Sequence, residues 1–429
     1  MRAAGRVSAA IEVLSEIDAR RRPVADALKD WGLSHRFAGS GDRGAIANLV
    51  YDALRWQRSS EFRADGEGPR AQVLGTVRFR WGMGLEDLAT LSEAQHGFGT
   101  LTEHEHDALA ADRLESAPPA VAADLPDWLV AAFEANFSDE WPQEAAALAS
   151  RAPVDLRVNT LLAGRDRILK HFARLGASAT PISPVGVRLP ARSGWERAPQ
   201  ITADEVYRRG QVELQDEASQ AAALLVFAKP GEQVLDLCAG AGGKTLALAA
   251  HMENKGQVHA TDTDKNQLAP IYQRLKRAGV RNVQVHAADA DLSALEGRMD
   301  RVLVDAPCSG SGTWRRRPDT KWRLSEDALA RRLEEQEACL DRARAFVRPG
   351  GYIVYVTCSM LSQENEAQVD AFLARAPDFE QVSAGEAWEE LFGVGGPKPW
   401  SADGMSLTMT PAATHTDGFF VAVLERVPG

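Results

Sequence analysis

The spacing of apolar residues changes along the chain, and the change divides it into segments of different predicted structure. In residues 1 to about 115, apolar residues recur at the period of a helix with one buried face. The stretch from Ala3 to Ile17 shows this spacing at four positions: Val7, Ala10, Ile11 and Leu14. The pattern predicts an all-α N-terminal domain, which by itself could be a dimerisation unit, a structural cap or an RNA-binding module.

Further helices are predicted in the same segment. One runs over residues 44–55, with Asp42 as its cap, because a carboxylate before the first turn accepts hydrogen bonds from free backbone N–H groups. Two more are predicted over 70–79 and 85–92. Residues 116–119, rich in alanine and proline, are typical of a linker that closes this domain.

Beyond the linker, helical spacing alternates with the apolar–polar alternation that predicts strands. Helices are predicted over 126–137, 141–151 and 165–175, and strands over 154–160 and 186–189. This segment is therefore predicted to be a small α+β module that ends near residue 205.

From Gly210 onward, short apolar runs alternate with helical segments, an order typical of a parallel α/β sheet. Strands are predicted over 233–238, 257–261, 283–287, 301–304, 351–356 and 419–425. A helical segment is predicted over 333–347, and residues 385–415 are predicted to be rich in loops. In such a domain, ligands bind beyond the carboxyl ends of the strands.

Composition and charge narrow the function classes. Four cysteines in 429 residues, at no metal-like spacing, favour a reducing cytoplasm and disfavour a structural zinc site. We expect neither a membrane span nor a secretory signal, since no apolar run is long enough. The net charge of −11 does not exclude a nucleic-acid partner, because binding depends on local patches. Arg20 to Arg22 and Arg315 to Arg317 are such patches, although either could be a solvated face.

A glycine-rich turn, Gly240 to Gly243, follows the first strand of the α/β segment. Glycine lets the backbone approach a ligand closely, and the next helix offers free N–H groups at its N-terminus. Asp262, at the end of the following strand, is placed to accept hydrogen bonds from both hydroxyls of a ribose. The set fits S-adenosylmethionine at least as well as a dinucleotide, although such a turn can also serve strand–helix packing alone.

Two cysteines and an aspartate follow strands in the second half of this segment. Asp305 and Cys308 come directly after one predicted strand, and Cys358 comes after the next. If these strands are neighbours, the three side chains converge on one crevice, where thiols can act as nucleophiles. Cys238 and Cys339 lie instead in an apolar strand and a helical segment, and we predict that they pack in the core.

Motifs spread over most of the chain occur together in one known family. The two most specific are Pro307-Cys308, within Asp305 to Gly312, and Thr357-Cys358-Ser359. The others are Arg157 to Leu161, Gln215 to Ser219, Asp236 to Thr245, Arg316 to Trp322 and Asp417 to Phe420. Together they resemble the RNA cytosine-5 methyltransferases of the RsmB (Sun/Fmu) family. The N-terminal helices resemble the NusB-like domain of its ribosomal members, and Ala241 departs from the proline usual in the turn.

The resemblance implies a fold in three parts. Residues 1–118 would form an all-α NusB-like RNA-binding domain, 124–205 a small α+β RNA-binding module, and 206–429 a Rossmann-like S-adenosylmethionine-dependent methyltransferase domain. It implies methylation of cytosine C5 in ribosomal RNA, most simply 16S, through a covalent adduct of a cysteine at C6. S-adenosylmethionine would be the cofactor and RNA the partner, with no metal and no membrane, in a cytoplasmic monomer.

The resemblance also implies roles for individual residues. Cys358 would be the nucleophile, Cys308 would assist elimination and product release, and Asp305 would hydrogen-bond the N3 edge of cytosine. The residues that would line the cofactor site are Cys238, Ala239, Gly240, Ala241, Gly242, Gly243, Lys244, Asp262, Asp289 and Asp305. Among them, Asp262 would hold the ribose and Asp289 would contact the adenine. The residues that would bind RNA phosphates are Arg315, Arg316, Arg317, Lys321 and Arg323.

The residues leave alternatives open. A Pro-Cys pair after a strand also resembles the nucleophile site of DNA cytosine methyltransferases, which would make Cys308 the nucleophile. The acceptor could be tRNA, since only the N-terminal domain favours ribosomal RNA, whereas the cysteine motifs disfavour a protein or a small molecule. A non-catalytic RNA-binding assembly factor is disfavoured, because both cysteines, Asp305, Asp262 and the glycines are present.

Overall fold

The computed structural model describes residues 1–428, and their contacts define two compact units. Unit 1 comprises Met1–Arg151, Ala191–Pro199 and Trp314–Leu324, and unit 2 comprises the remaining described residues. Trp314–Leu324 thus belongs to unit 1, although the sequence places it inside the predicted methyltransferase domain. The three-part division and its boundaries stay a prediction.

Helices and strands are numbered in chain order. The helices are α1 (Ala3–Arg20), α2 (Val24–Ser34), α3 (Ser40–Arg55), α4 (Gln57–Ala64), α5 (Gly68–Gly75), α6 (Leu85–Glu93), α7 (Glu103–Ala110), α8 (Pro119–Ala122), α9 (Val130–Phe137), α10 (Trp141–Leu148), α11 (Arg165–His171), α12 (Glu205–Arg208), α13 (Glu217–Leu224), α14 (Gly243–His251), α15 (Lys265–Leu268), α16 (Ile271–Ala278), α17 (Pro318–Arg323), α18 (Glu326–Phe346), α19 (Glu366–Arg375) and α20 (Ala384–Phe392). The strands are β1 (Val154–Val158), β2 (Ser178–Ala179), β3 (Gly186–Leu189), β4 (Val212–Leu214), β5 (Gln233–Asp236), β6 (Gln257–Ala260), β7 (Val283–Val285), β8 (Met299–Asp305), β9 (Val347–Thr357), β10 (Phe379–Val382), β11 (Ser406–Met409) and β12 (Phe419–Arg426).

The elements of unit 1 are helices, as the apolar spacing predicts. Along α1, Val7, Ala10 and Leu14 are fully buried and pack into one apolar cluster, whereas Ile11 is only partly buried at its edge. A stripe of this width is what one face of a helix can bury against its neighbours. Of the helices described, none is both long and apolar enough to cross a membrane.

Two helix predictions in unit 1 need correction. Asp42 does not cap a helix, because α3 begins at Ser40 and the carboxylate lies inside its first turn, where it accepts hydrogen bonds from Arg6. The helix predicted over 70–79 divides into α5 and a π-helix over Thr76–Arg80. A π turn differs from an α turn in its hydrogen-bond pattern, and the spacing of apolar residues does not distinguish the two over so short a segment.

A small antiparallel sheet in unit 2 has the strand order β2-β3-β1-β4. Its edge strand β4 pairs with β1, placing Arg157 opposite Glu213. The sheet therefore continues to Leu214, past residue 205, where the sequence predicts that the α+β module ends. Pairing between distant strands decides this limit, and a strand of three residues carries little local signal.

The large sheet of unit 2 has the order β10-β12-β9-β8-β5-β6-β7, with β11 paired to β12. Strands β5 to β9 run parallel, and β12 is antiparallel to β9. Successive residues alternate between two apolar clusters, with Leu303 in one and Val302 and Val304 in the other. Both faces are thus covered, which explains why these strands are apolar throughout. The segment 385–415 is less irregular than predicted, because it contains most of α20 and the strand β11.

Candidate active site

The predicted neighbours β8 and β9 pair in parallel, with Asp305 opposite Val356. Both strands therefore end at the same edge of the sheet, and the loops that follow carry Cys308 and Cys358. The structure brings the two sulfur atoms to 3.4 Å from each other, and both thiols are free. Loop residues held by rigid strands are typical carriers of catalytic groups.

The surroundings of the Cys308 thiol oppose its ionisation. The pKa of the Cys308 thiol is raised well above its usual value by its hydrogen bond to Cys358, by desolvation and by the nearby Glu364 carboxylate. A neighbouring thiolate and a carboxylate both oppose a second negative charge. The proton of the Cys308 thiol is therefore harder to remove than that of an isolated cysteine.

Asp305 forms an ion pair with Lys244 at this edge. The Nζ atom of Lys244 lies 2.6 Å from Oδ2 of Asp305 and 4.9 Å from the centre of the Phe419 ring. The lysine side chain is only 6% exposed, whereas 32% of the Asp305 side chain is exposed. Asp305 ends β8 and Lys244 lies in the first turn of α14, so the pair joins the thiol-bearing edge to the glycine turn.

The glycine turn has a backbone shape that glycine favours. Gly240 has φ +50° and Gly242 has φ +82°, both in the left-handed region. A Cβ atom on Gly242 would lie 2.5 Å from Ile271, whereas one on Gly240 would meet nothing within 4 Å. The backbone N–H of Gly240 donates to Asp262 across 2.8 Å. The turn is therefore packed on one side, open on the other, and attached to the predicted ribose carboxylate.

Ala241, the residue that departs from the family pattern, is held by a contact that the sequence does not reveal. Arg274 donates to its carbonyl oxygen at 2.8 Å and to Glu213 at 2.9 Å. The arginine, ordered by its ion pair, supplies support for the turn from outside the motif.

A buried carboxylate lies beneath the turn. Burial raises the pKa of Asp236 to about 7, although its Oδ2 atom accepts a hydrogen bond from Thr245 at 2.7 Å. Its Oδ1 atom has no hydrogen-bond partner among the described residues. An open turn, a carboxylate after the next strand and an unsatisfied buried acceptor fit a nucleoside cofactor. Asp289, predicted to contact its adenine, is exposed in the loop after β7.

The structure also contains a second thiol pair that the sequence does not suggest. Cys238 follows β5 and Cys339 lies in α18, and their sulfur atoms are 3.7 Å apart. Both side chains pack against an apolar cluster, as predicted. The hydrogen bond between the two sulfur atoms and burial raise the pKa of Cys238, whereas the same hydrogen bond lowers the pKa of Cys339.

Two members of the predicted RNA-binding set are corrected. Arg315 and Lys321 lie in unit 1 and are each 3% exposed. Lys321 donates to the carbonyl oxygen of Asp124 at 2.6 Å, and burial lowers its pKa to about 8. A buried ammonium group that donates to a backbone carbonyl oxygen is not available to a phosphate. Arg317 is exposed, Arg316 is partly buried, and Arg323 is exposed.

Comparisons with known proteins agree with this geometry. The family model described as 16S rRNA methyltransferase RsmB/F matches residues 223–425, and a ferredoxin-like domain model of RsmF/B-like methyltransferases matches residues 125–193. A probable ribosomal RNA small subunit methyltransferase B of Synechocystis sp. is 32% identical over 70% of this chain and 67% of its own length. The ribosomal RNA small subunit methyltransferase B of Cronobacter sakazakii is 34% identical over 70% and 66%.

Solved structures show the same fold. The crystal structure of PH0851 is 25% identical, covers 99% of both chains and gives a TM-score of 0.74. A methyltransferase homologue from Pyrococcus horikoshii is 25% identical, covers 72% of this chain and 98% of its own, and gives a TM-score of 0.59. The matches confirm the predicted methyltransferase fold and S-adenosylmethionine as methyl donor. The chain therefore belongs to the RsmB/F family of ribosomal RNA small-subunit methyltransferases.

Proposed function

We propose that the protein methylates C5 of a cytosine in 16S ribosomal RNA through a covalent bond between a cysteine and C6 of the base. The observation that carries this proposal is the 3.4 Å separation of the Cys308 and Cys358 sulfur atoms. They lie at the sheet edge where β8 and β9 end, and Asp305 ends β8 at the same edge. Two thiols and a carboxylate suit a reaction that needs a nucleophile, a proton transfer and a charge-stabilising group.

Cys358 is the proposed nucleophile. C5 of cytosine is too weak a nucleophile to accept a methyl group unaided, and addition of the Cys358 thiolate to C6 gives the ring enamine character at C5. Bound S-adenosylmethionine supplies the electrophilic methyl group. The raised pKa of Cys308 disfavours its thiolate and so makes it the less favoured attacking group.

The second half of the reaction restores the aromatic ring. The proton on C5 must pass to a base, after which the C5–C6 double bond forms again and the C6–sulfur bond to Cys358 breaks. Cys308, adjacent to Cys358, is the proposed assistant in this elimination and in product release. Asp305, with Lys244 at 2.6 Å, is proposed to bind the N3 edge, where the ion pair supplies the proton that N3 takes up as the thiolate adds to C6 and Asp305 then accepts a hydrogen bond from the N3–H group.

The cofactor site proposed from the sequence uses the turn and the carboxylates around it. Gly240 and Gly242 allow close approach of the backbone, and α14 begins directly after the turn at Gly243, so its first N–H groups are available to a ligand held there. Asp262 is proposed to accept hydrogen bonds from the ribose hydroxyls, and Asp289 to contact the adenine. Cys238, Ala239 and Lys244 complete the lining, with Cys238 contributing its backbone.

RNA binding is proposed to involve Arg317, the exposed arginine of the predicted cluster. Because each phosphate contact releases counterions, Arg317→Ala should reduce the slope of log affinity against log salt by about 1. Lys321→Met should leave this slope unchanged and lower the melting temperature instead, since Lys321 is buried. Filter binding at several salt concentrations measures the slope for both variants, and thermal unfolding measures the melting temperature. An unchanged slope for Arg317→Ala would assign that residue to a solvated face.

Methyl transfer to defined RNAs tests the proposed reaction. Purified protein is given S-adenosylmethionine with a labelled methyl group and either free 16S RNA, assembled small subunits or tRNA, and bisulfite sequencing locates the product. Labelled 5-methylcytosine in 16S RNA is expected, in the free or the assembled form. Product in tRNA alone would favour the tRNA alternative, and RNA binding without transfer to any acceptor would favour an assembly factor.

A further inference from the structure

A buried carboxylate lies between the two thiol-bearing loops. Glu364 is fully buried at the end of a short 3₁₀ turn, Ser362–Glu364. Its Oε1 atom accepts hydrogen bonds from the backbone N–H of Ser309 at 2.7 Å and from Gln336 at 3.0 Å. Its Oε2 atom accepts hydrogen bonds from the hydroxyls of Ser309 and Ser359, each at 2.5 Å. Ser309 and Ser359 are the residues next to Cys308 and Cys358 in sequence, so one side chain holds both loops.

Other contacts join the same two loops. The N–H of Gly312 donates to the carbonyl oxygen of Cys358 at 3.0 Å, and the N–H of Met360 donates to the Ser311 hydroxyl at 2.8 Å. Glu364 differs from these contacts because it reaches both loops with a single charged group. Gln336 adds a third element, since its amide also donates to the carbonyl oxygen of Pro307 at 2.9 Å.

Joining two loops by hydrogen bonds does not by itself require a charged side chain such as that of Glu364. A buried carboxylate loses its hydration, and the four donors to Glu364 are all uncharged groups, which offset this cost without neutralising the charge. A neutral side chain could link two loops at lower cost. The charge does act on one thiol, because Glu364 is among the groups that raise the pKa of Cys308.

We propose that Glu364 is a positioning residue for methyl transfer, which sets the separation of the Cys308 and Cys358 thiols by holding the two loops that carry them. The titratable groups around Cys308 are then Cys358, Glu364 and Tyr355, whose hydroxyl donates to the carbonyl oxygen of Glu364 at 2.7 Å. The assignment to methyl transfer rests on the proposed function, whereas the effect on the two thiols can be measured without catalysis.

Two variants distinguish the effect of the length of the Glu364 side chain from the effect of its charge. Glu364→Asp keeps the charge but shortens the side chain, and Glu364→Gln keeps the size but removes the charge. Glu217→Gln is the matched control, because Glu217 is a buried carboxylate of the same unit that accepts the N–H groups of Ile182 and Ser183. Melting temperatures show which variants remain folded.

The first measurement is disulfide formation with diamide, followed by mass spectrometry. Two thiols give up two protons and two electrons, diamide takes them up as the hydrazine, and a sulfur–sulfur bond forms. Cys238 and Cys339 provide an internal reference in the same molecule. For Glu364→Asp, the Cys308–Cys358 disulfide should form roughly tenfold more slowly relative to that reference, because the thiols are less well positioned.

The second measurement is the pH dependence of alkylation at each cysteine. For Glu364→Gln, alkylation of Cys308 should begin at least roughly one pH unit lower than in the wild-type protein, because a nearby negative charge is lost. The profile of Cys238 should not move.

Both Glu364 variants should lower kcat roughly 10–100-fold with the KM for S-adenosylmethionine within about twofold. Glu217→Gln should change none of these readouts, whatever its effect on melting temperature.

The outcomes are distinct. If a folded Glu364→Asp and a folded Glu364→Gln both leave the relative disulfide rate and the Cys308 profile unchanged, Glu364 does not position the thiols and the proposal is overturned. If these readouts shift and kcat falls, the proposal holds. If the disulfide rate and the Cys308 profile shift while the wild-type protein methylates no cytosine in any RNA tested, the proposed function fails. Glu364 then remains the residue that positions the two thiols.

Discussion

Unit 2 contains two pairs of cysteines whose sulfur atoms are at similar distances but in different surroundings. Cys308 and Cys358 are 3.4 Å apart in loops that follow adjacent parallel strands. Cys238 and Cys339 are 3.7 Å apart, one after β5 and the other in the long helix α18. The second pair packs against the apolar cluster on one face of the sheet.

The comparison shows that the distance between two thiols does not identify the reactive pair. What distinguishes Cys308 and Cys358 is the polar framework of their loops, in which Glu364 accepts hydrogen bonds from Ser309 and Ser359. Around the other pair, α18 and the sheet supply mainly apolar contacts. The thiol pair at the strand ends therefore has groups for proton transfer and positioning, whereas the other has the environment of small buried hydrophobes.

Substitution of single cysteines should give the largest difference in activity between the two thiol pairs. Cys358→Ala should lower methyl transfer by roughly 10³-fold or more and form no covalent complex with RNA, because no other group can attack C6. Cys308→Ala should still attack but release slowly, and thus accumulate a protein–RNA adduct that survives a denaturing gel. Cys339→Ala is the control with near wild-type turnover. An adduct in Cys358→Ala and none in Cys308→Ala would reverse the two assignments.

The glycine turn that follows Cys238 can be weakened without touching the other pair. Asp262→Ala should reduce S-adenosylmethionine affinity by roughly 1.5–3 kcal/mol, the scale of charge-assisted hydrogen bonds. The mutation removes the proposed ribose acceptor and the acceptor of the Gly240 N–H. Calorimetry measures the affinity, and alkylation of Cys308 should be unaltered. Unchanged affinity in the folded variant would remove Asp262 from the cofactor site.

The carboxylate of Asp236, which contributes to the raised pKa of Cys238, should make stability depend on pH. Its pKa of about 7 in the folded protein lies above the ordinary value of 3.8, so stability falls as the pH rises from about 4 to about 7. Asp236→Asn removes this dependence. It should raise the free energy of unfolding more at pH 8 than at pH 5, by about 2 kcal/mol.

Urea unfolding at the two pH values measures this difference. Asp289→Asn is the matched control, because that carboxylate is exposed. An equal pH effect in the two variants would show that Asp236 does not titrate as its burial implies.

The smallest expected effect is a difference in alkylation rate between Cys238 and Cys339. The pKa of Cys339 is lowered and that of Cys238 is raised, so Cys339 has the larger thiolate fraction at a given pH. Iodoacetamide should therefore modify Cys339 several-fold faster than Cys238 near pH 8. Mass spectrometry of a time course gives both rates, and faster modification of Cys238 would contradict the assigned order.

Much of the fold could be predicted because its signals are local. The apolar runs of β8 and β9, each followed by a polar turn, predict where the strands end and thus where Asp305, Cys308 and Cys358 lie. The helical spacing of α1 likewise predicts its buried stripe. These features depend on side-chain periodicity and turn chemistry within a few residues.

Other features depend on contacts between residues far apart in the chain, and only the tertiary structure shows them. Cys238 and Cys339 are separated by 101 residues, and nothing near either one indicates the other. Glu364 lies among polar residues in the sequence, yet it is fully buried between two loops. Lys321 has the sequence context of a phosphate-binding cation, but packing in unit 1 desolvates it and aims its ammonium group at the carbonyl oxygen of Asp124.

The sequence by itself determined which residues follow the strands of this protein, and with them the chemistry available at the sheet edge. The tertiary structure decided which charges are buried and which side chains meet. The physical reason is that secondary structure follows from local periodicity, whereas desolvation and hydrogen-bond partners depend on every element packed around a group. Asp305 and Cys358 illustrate the first kind of information, and Glu364 illustrates the second.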